Sequence, residues 1–369
     1  MTYSFLLADL GTGGSERVSI LLARVLKRHG HQVRFVCLCG GEDEISEWIK
    51  PEFELDILGA SRILTALPKL MRYLRQHRDT IMFSSCEYVS LLALIAGRRL
   101  GIPTVVRLPN MPSNHLYSGF TEFKWNVIRW LNKRLLPWAK VIIAQTDAMR
   151  EEAMERYDLI GDKVVTINNP VDKDAILAAS ENHVNPFTEG GIQFLTVSNI
   201  TYSKGIDVLL NAFSIVRKQL PEAHLTILGR IGSDYAKEMT NRVSPSDGVR
   251  FMGFTPNPYP YMRYCDVFVL PSRMEGFPNV VLEAMCFDKP VAATRCVPII
   301  SEIVKEGVNG HTCQSEDTAA LAQCMAESVR LNDIHNTYSL FDEQKFCQVM
   351  EFSAKSKPIP TNSAAMAQA

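Results

Sequence analysis

The sequence predicts an α/β protein of two domains, each with a parallel sheet covered by helices. Apolar, β-branched runs alternate with amphipathic stretches along most of the chain, which is the pattern of strands joined by helical crossovers. The alternation is broken at residues 173–191, which contain Asn, Pro and Gly-Gly. A chain of 369 residues can bury two cores. We therefore expect a first domain at residues 1–172, a linker at 173–191 and a second domain at 192–335.

The first domain opens with a strand, a glycine-rich loop and an amphipathic helix. Residues 3–7 are apolar, residues 11–14 are Gly-Thr-Gly-Gly, and the helix is expected at 18–29. A dinucleotide-binding loop would have a third glycine where Glu16 stands, and the next strand would end in an acid where Cys39 stands. A nicotinamide-dependent oxidoreductase is therefore only a distant alternative.

Four further strands are expected in the first domain, and polar residues follow them. Since ligands bind beyond the carboxyl ends of parallel strands, the loop at 109–115 is expected to border a cleft. This loop contains His115, and the strand before it ends near Arg107. The expected strands cover residues 80–84, 103–108, 140–144 and 163–167.

The second domain repeats the alternation of strands and helices. A strand at 193–198 leads through a polar loop to a helix at 208–219, and further strands are expected at 224–228 and 249–254. The residues that follow the first two of these strands include Asn199, Lys204, Gly229 and Arg230.

The stretch at 271–289 is the most informative part of the sequence. The run before it, 265–270, is typical of a buried strand, and a proline ends that strand. Gly276 permits a sharp turn, and Pro278 suits the first position of a helix. The helix expected at 279–287 is apolar on nearly every side and should therefore be buried.

Two polar residues, Asn279 and Glu283, share one face of this apolar helix because they are four positions apart. A buried carboxylate without a partner is strongly unfavourable, so a bound polar ligand is expected to satisfy Glu283. The N–H groups at the start of the helix favour an anion such as a phosphate in the same place. The alternative is a structural strand–turn–helix in which Glu275 caps the helix and Glu283 is solvated.

Glu-Gly-Phe-Pro-Asn at 275–279, followed by Glu-Ala-Met at 283–285, closely resembles the donor-site motif of the family 4 retaining glycosyltransferases. Gly-Gly-Ser-Glu-Arg at 13–17 is similar to the loop that opens many of these enzymes, and Asn-Asn-Pro-Val-Asp at 168–172 is similar to their inter-domain signature. The resemblance covers nearly the whole chain. It implies the GT-B fold, in which two Rossmann-like domains face each other across a cleft that holds a nucleotide sugar.

The resemblance also implies roles for individual residues. Glu283 binds the ribose hydroxyls, Glu275 and the backbone after it hold the sugar and the diphosphate, and Lys204 stabilises the charge on the leaving diphosphate. Lys204 and Glu275 are thus the expected catalytic residues. The donor-binding residues that the resemblance implies are Gly13, Gly14, Asn199, Lys204, Gly229, Arg230, Glu275, Gly276, Phe277, Pro278, Asn279 and Glu283. The acceptor-side residues that it implies are Glu16, Arg17, Arg107 and His115.

The sequence departs from the family pattern at two places. The family usually has an arginine where Asn199 stands, and an amide supplies no charge. Arg230, Arg17 or helix dipoles are therefore expected to meet that phosphate charge. A Gly-Gly pair of the family is replaced by Val297-Pro298, which changes the loop after the donor helix.

The implied function is that of a retaining hexosyl- or N-acetylhexosaminyl-transferase. It would move a sugar from a nucleotide-diphosphate sugar to a glycan or lipid-linked oligosaccharide, in surface polysaccharide or glycoconjugate biosynthesis. No cofactor, no metal and no covalent nucleophile are expected. The alternative from another class is a non-catalytic nucleotide-sugar-binding or scaffold protein on a GT-B frame. Asn199 and the missing Gly-Gly slightly favour that alternative, whereas the joint presence of Lys204, Glu275 and Glu283 argues against it.

Residues 120–140 combine aromatic and basic side chains. They contain three of the four tryptophans, and residues 60–140 have 13 Lys and Arg against 3 Asp and Glu. This composition is typical of a helix on an anionic membrane surface, and equally of a core helix whose basic face is solvated. No recognised nucleic-acid motif accompanies the charge, so no nucleic acid partner is expected.

The remaining features concern compartment and C-terminus. No basic leader precedes the first strand, and no apolar run approaches the roughly 18 residues of a membrane span. The nine scattered cysteines are expected to be reduced thiols. We therefore expect a cytoplasmic protein, peripheral on the inner face of the membrane if residues 120–140 bind there. A helix at 336–356 is expected to cross back onto the first domain, and 357–369 is expected to be a disordered tail.

Overall fold

The structure, a computed structural model, describes residues 1–11, 13–40, 46–113, 122–181, 183–332, 334–336 and 339–355. The chain folds into two compact units. The first contains Met1–Pro170 together with the residues from Phe341 onward, and the second contains Val171–Leu340. Each unit has a parallel sheet with helices, so the predicted α/β class is confirmed.

The first unit has a seven-stranded parallel sheet. Its strands are β1 (Thr2–Leu7), β2 (Gln32–Cys39), β3 (Glu54–Ala60), β4 (Ile81–Ser84), β5 (Thr104–Arg107), β6 (Val141–Ala144) and β7 (Val164–Thr166). Its helices up to Pro170 are α1 (Gly14–Arg28), α2 (Ser46–Ile49), α3 (Leu67–Gln76), α4 (Glu87–Leu100), α5 (Glu122–Leu135) and α6 (Asp147–Tyr157). The strand order is β3-β2-β1-β4-β5-β6-β7.

The second unit has a six-stranded parallel sheet. Its strands are β8 (Gln193–Val197), β9 (His224–Leu228), β10 (Val249–Gly253), β11 (Val267–Leu270), β12 (Val291–Thr294) and β13 (Gly310–Cys313). Its helices are α7 (Lys173–Ser180), α8 (Ile206–Gln219), α9 (Asp234–Asn241), α10 (Tyr259–Tyr264), α11 (Asn279–Met285), α12 (Ile300–Ile303) and α13 (Thr318–Ser328). The strand order is β10-β9-β8-β11-β12-β13.

The last helix of the described chain, α14 (Glu343–Lys355), is part of the first unit. Phe5 and Phe83 stack at the centre of that unit with ring centroids 4.4 Å apart. Phe346 and Met350 of α14 are fully buried in the same core. Burying one such side chain contributes about 1.5–3 kcal/mol, which holds this helix on the first unit.

Two boundaries differ from the sequence prediction. The stretch expected as a linker at 173–191 begins with α7, because Asp172 caps the helix by accepting a hydrogen bond from the Ala175 amide at 3.1 Å. This helix is held within the second unit, where Asn257 Nδ2 donates to the carbonyl of Ala179 at 2.7 Å. The helix expected at 279–287 ends at Met285. The tail at 357–369 lies outside the described residues.

In each sheet, consecutive strands lie first on one side of the strand that begins the unit and then on its other side. In the first unit β2 and β3 lie on one side of β1 and β4 lies on the other, and in the second unit β9 and β10 lie on one side of β8 and β11 on the other. Loops that leave such neighbouring strands part in opposite directions and open a crevice at the carboxyl edge of the sheet. Most of the candidate residues lie in these loops or on the helices that directly follow them.

Within the described part of the chain, each helix is too short or too polar to cross a bilayer.

Candidate active site

The crevice of the second unit is formed by the loops that follow β8 and β11. The two loops touch at Gly205, whose backbone is left-handed with φ +64°. A Cβ at this position would lie 2.1 Å from the carbonyl oxygen of Pro271. Glycine is therefore required at 205 for its backbone angle and for its lack of a side chain.

Lys204 and Glu275, the two expected catalytic residues, come together in this crevice. Lys204 Nζ lies 2.7 Å from both carboxylate oxygens of Glu275, and Ser272 Oγ donates to Glu275 Oε1 at 2.8 Å. The Lys204 side chain is 25% exposed and that of Glu275 is 11% exposed. The ammonium is thus held at the crevice by a carboxylate with which an anionic ligand would compete.

The other expected donor residues of the second unit follow β8, β9 and β11, at the carboxyl edge of the same sheet. Gly229 must be glycine, because a Cβ there would lie 1.9 Å from the carbonyl oxygen of Ser198. Glu283 lies half-buried on α11 among buried apolar residues. Of the remaining expected residues, the exposed ones are Asn199 and Arg230, the half-buried one is Asn279, and the buried ones are Gly276, Phe277 and Pro278.

Arg273 is a central residue of this site that the sequence analysis missed. Its guanidinium uses all five N–H donors within the protein. Nε donates to Glu316 Oε1 and Nη2 to Glu316 Oε2 at 3.0 Å, while Nη1 and Nη2 donate to the two oxygens of Asp207 at 2.8 and 2.7 Å. Nη1 also donates to the carbonyl of Tyr202 at 2.7 Å. A basic residue between a buried strand and an apolar helix is the signal in the sequence that points to such a network.

The network strongly favours its charged form. Burial alone would lower the pKa of Arg273, but its hydrogen bonds to Asp207 and Glu316 outweigh burial and raise it. Burial would likewise raise the pKa of Asp207, but hydrogen bonds from Arg273 and from the Tyr235 hydroxyl at 2.6 Å lower it to about 2. Arg273 and Asp207 are therefore both charged near neutral pH.

The arginines expected to replace the missing charge at Asn199 have other contacts. Arg230 places its guanidinium 4.1 Å from the ring centroid of Phe254, and Arg17 lies 4.9 Å from the ring centroid of Trp48 in the first unit. Arg273 is closer in sequence to the donor motif, but two carboxylates already neutralise it. Lys204, by contrast, bonds Glu275, the first glutamate of the 275–285 motif.

The crevice of the first unit contains the glycine-rich loop. Gly13 and Gly14 begin α1, and the Glu16 carboxylate folds back so that a Cβ at Gly13 would lie 2.2 Å from Oε2. Burial raises the pKa of Glu16, and the nearby charge of Asp9 raises it further. Ser15 Oγ lies 2.9 Å from Ser85 Oγ, which joins the first turn of α1 to the loop after β4.

Arg107, the last residue of β5, is only 3% exposed. Nη1 donates to Ser85 Oγ at 2.6 Å and Nη2 donates to Asn169 Oδ1. Asn169 in turn donates to Gln145 Oε1 at 3.1 Å. None of the described carboxylates pairs with Arg107, and burial lowers its pKa to about 9. His115, the other expected acceptor-side residue, lies outside the described residues.

Helix α5 has a buried face and an exposed apolar face. Trp125, Ile128 and Leu135 are buried against the first unit. On the outside, Phe123 is 76% exposed and Trp130 is 57% exposed. The description of this helix as an ordinary core helix with a solvated basic face is therefore incomplete, because large aromatic side chains also lie on its outer face.

Comparison with known proteins agrees with this architecture. A family model described as Glycosyltransferase Family 4 matches residues 12–175, and one described as Glycosyl transferases group 1 matches residues 191–330. An uncharacterized glycosyltransferase of Haemophilus influenzae is 27% identical over 327 residues, which cover 85% of this chain and 86% of the relative.

Two further similarities carry more chemical information. The N-acetylgalactosamine-N,N'-diacetylbacillosaminyl-diphospho-undecaprenol 4-alpha-N-acetylgalactosaminyltransferase of Campylobacter jejuni is 25% identical over 302 residues, 78% of each chain. The crystal structure of HepE from Anabaena, in complex with UDP and glucose, has a TM-score of 0.75 and 19% identity and covers 96% of this chain and 97% of HepE. The two family models together span most of the sequence, and the fold agrees with them. The chain is therefore a glycosyltransferase that belongs to glycosyl transferases group 1, family 4, of the GT-B fold.

Proposed function

We propose that this glycosyltransferase is a retaining enzyme that moves a sugar from a nucleotide-diphosphate sugar to a glycan or lipid-linked oligosaccharide, in surface polysaccharide or glycoconjugate biosynthesis. The observation that carries the proposal is the pairing of Lys204 with Glu275, with Nζ 2.7 Å from both oxygens, beside the switch point of the second sheet. A cation suited to a diphosphate and a carboxylate suited to sugar hydroxyls thus lie side by side. HepE holds UDP and glucose, and the Campylobacter relative is named for a diphospho-undecaprenol acceptor, which supports a UDP-sugar donor and a lipid-linked acceptor.

The reaction that fits these residues is a front-face displacement. The bond from the anomeric carbon to the diphosphate breaks while the bond to the acceptor oxygen forms on the same face. The acceptor proton passes to an oxygen of the departing diphosphate, so no protein base is required. Lys204 stabilises the charge that grows on the diphosphate, which is the largest kind of catalytic contribution. Glu275 leaves Lys204 and accepts hydrogen bonds from the sugar.

The remaining residues bind and orient the substrates. Glu283 binds the ribose hydroxyls, and the backbone at 276–279 contacts the sugar and diphosphate. The other residues proposed for the donor are Gly13, Gly14, Asn199, Gly229 and Arg230. Those proposed for the acceptor are Glu16, Arg17, Arg107 and His115.

Release of free nucleoside diphosphate from a panel of nucleotide sugars, beginning with UDP-sugars, tests this function. Lys204→Ala should lower kcat at least about tenfold, or ~1.4 kcal/mol, with a smaller change in donor KM, because diphosphate charge grows toward the transition state. Lys237→Ala is the matched control, since Lys237 is an exposed lysine on α9 of the same unit. The anomeric configuration of the product, read by NMR, distinguishes retention from inversion.

Binding of nucleotide sugars without transfer would reject the proposed activity. If nucleotide sugars bind but no nucleoside diphosphate is released with any glycan or lipid-linked acceptor, the transferase proposal fails. The protein would then be a nucleotide-sugar-binding or scaffold protein on the same frame.

We also propose that the protein is cytoplasmic and contacts an anionic membrane through residues 120–140. Phe123, Val127 and Trp130 are exposed and share one face of α5, since they follow a spacing of four and three residues. The exposed cations around this face are Lys124, Arg129, Lys133 and Arg134. Aromatic side chains at the headgroup level, with basic residues around them, are typical of helices that lie in a membrane surface.

Flotation with lipid vesicles tests the membrane contact. Binding should require an anionic lipid and weaken at high salt, because each cation near such a surface contributes about 1 kcal/mol. The double variant Phe123→Ser/Trp130→Ser should lose binding. Leu64→Ser is the control, because Leu64 is another exposed apolar residue of the first unit, 76% exposed. Equal, negligible binding to neutral and anionic vesicles would reject the contact.

A further inference from the structure

We propose that Arg273 is a positioning residue that sets the place of Lys204 during transfer. The inference rests on the proposed function, in which Lys204 stabilises the leaving diphosphate. It goes beyond that function because Arg273 itself touches no substrate.

The donor groups of Arg273 are all used inside the protein, which is why it is not a ligand for the diphosphate. Its five N–H groups donate to Asp207, Glu316 and the carbonyl of Tyr202. Its side chain is 3% exposed. One guanidinium between two carboxylates leaves a net negative charge, which would repel a phosphate.

Arg273 instead holds the chain on both sides of Lys204. Before Lys204, the Arg273 amide donates to the carbonyl of Ser203 at 2.8 Å. The guanidinium also lies 3.9 Å from the ring centroid of Tyr202 and donates to the carbonyl of that residue. After Lys204, both oxygens of Asp207 in the first turn of α8 accept from the guanidinium. The short turn that presents Lys204 is therefore clamped at its start and at its end.

The loop that contains Arg273 also contains Glu275, the partner of Lys204. Arg273 is two residues from Glu275, and Ser272 Oγ donates to Glu275 Oε1 at 2.8 Å. A third loop, after β13, joins through Glu316, whose backbone is left-handed with φ +71°. A movement of Arg273 would therefore displace Lys204 relative to Glu275. The proposed reaction requires these two groups in fixed relative positions.

A lysine cannot replace this arginine geometrically. An ammonium has three donors at one point, whereas the guanidinium presents a planar fork that meets a carboxylate with two parallel bonds. Arg273→Lys keeps the positive charge but cannot make paired bonds to both Asp207 and Glu316. It also loses the contact with Tyr202. It thereby separates the positioning role from the charge alone.

A double-mutant cycle on Arg273 and Lys204 tests the inference. Enzymes with Arg273→Lys, Lys204→Ala and both changes are compared by kcat and donor KM well below their melting temperatures, each normalised to its folded fraction. Arg273→Lys should lower kcat at least about tenfold with a smaller change in KM. In the Lys204→Ala background the same change should lower kcat less than about twofold, because residues that act as one unit are strongly non-additive. Arg242→Lys, an exposed arginine bonded to Asn211 in the same unit, is the control.

Additive effects in this cycle would overturn the inference, because Arg273 would then act independently of Lys204. A lowered melting temperature with unchanged kcat of the folded fraction would also overturn it and leave Arg273 a structural residue. If the wild-type enzyme transfers no sugar, the proposed function has failed instead. The same cycle is then measured on UDP affinity by calorimetry, where additivity again rejects positioning.

Discussion

The two units each bury an arginine at the carboxyl edge of their sheet, but only one of these arginines is neutralised. Arg273 in the second unit bonds two carboxylates, whereas Arg107 in the first unit bonds a hydroxyl and an amide oxygen. Burial disfavours the charged form of both. The carboxylates nevertheless raise the pKa of Arg273, while the pKa of Arg107 is lowered to about 9.

The different partners of Arg273 and Arg107 indicate two different roles for a buried arginine. A guanidinium with its counter-charges forms a rigid brace, and removing it leaves carboxylates without a partner. Arg107, whose described partners are neutral, has a pKa that burial lowers to about 9, so it remains protonated near pH 7. Among the described residues of the first unit, Arg107 thus has neutral partners, whereas Arg273 in the second unit bonds two carboxylates beside Lys204.

Replacing Arg273 should have the largest effect, which is on the free energy of unfolding. Arg273→Met leaves Asp207 and Glu316 without their cation, and breaking such a network costs about 3 kcal/mol, the low end for buried pairs because Glu316 is partly solvated. Urea unfolding of the variant and the wild-type protein measures the loss. A change below about 1 kcal/mol, the level of an ordinary substitution, would show that the network is not a brace.

Replacing Glu283 should have the next largest effect, which is on nucleotide affinity. Glu283→Gln keeps the shape of the side chain and removes its charge, so nucleotide affinity should fall roughly ten- to a hundredfold if ribose hydroxyls are its partners. Calorimetric titration with UDP and a thermal melt are measured together. Glu302→Gln, on the exposed surface of α12, is the control. Unchanged affinity with a lowered melting temperature would remove Glu283 from the donor site.

The two crevices should also respond to pH with opposite sign. Asp207 has a folded pKa of about 2, below its ordinary 3.8, so its stabilisation is present above pH 3.8 and is lost as pH falls toward 2. Glu16 has a folded pKa above its ordinary 4.5, so stability falls as pH rises from 4.5 toward the folded pKa.

Melting temperatures of wild type, Asp207→Asn and Glu16→Gln across this acid range check both signs. Asp207→Asn should flatten the loss below pH 3.8, and Glu16→Gln should flatten the fall above pH 4.5. A Glu16→Gln profile that matches wild type would contradict the raised pKa of Glu16.

Replacing Arg107 should give the smallest effect on stability. Arg107→Met removes a buried charge that has no counter-charge among the described residues, and exchanging buried ionic groups for apolar ones is often close to neutral. The lost bonds to Ser85 and Asn169 offset part of that gain, so the free energy of unfolding should change by about 1 kcal/mol or less. Urea unfolding beside Arg273→Met tests the contrast directly. Equal losses in the two variants would abolish the distinction between the arginines.

The sequence by itself determined the class of fold, and it supplied the hypothesis that residues 275–285 bind the donor. The alternation of apolar runs and helical stretches is a local property, and it places β8, β11 and the helix at Asn279 close to their observed bounds. The motif at 275–285 is also local, and it brought Lys204, Glu275 and Glu283 into one hypothesis. The family models agree with that hypothesis at the level of the family.

The tertiary structure alone decided which charges meet. Arg273 bonds Asp207, 66 residues earlier, and Glu316, 43 residues later, and no sequence spacing predicts that these three distant residues meet. The packing of strands and helices likewise decides that the described partners of Arg107 are neutral and that aromatic side chains lie on the outer face of α5. Periodicity specifies which face of an element is apolar, but the net charge of a buried site depends on side chains that the folded chain brings together from distant positions.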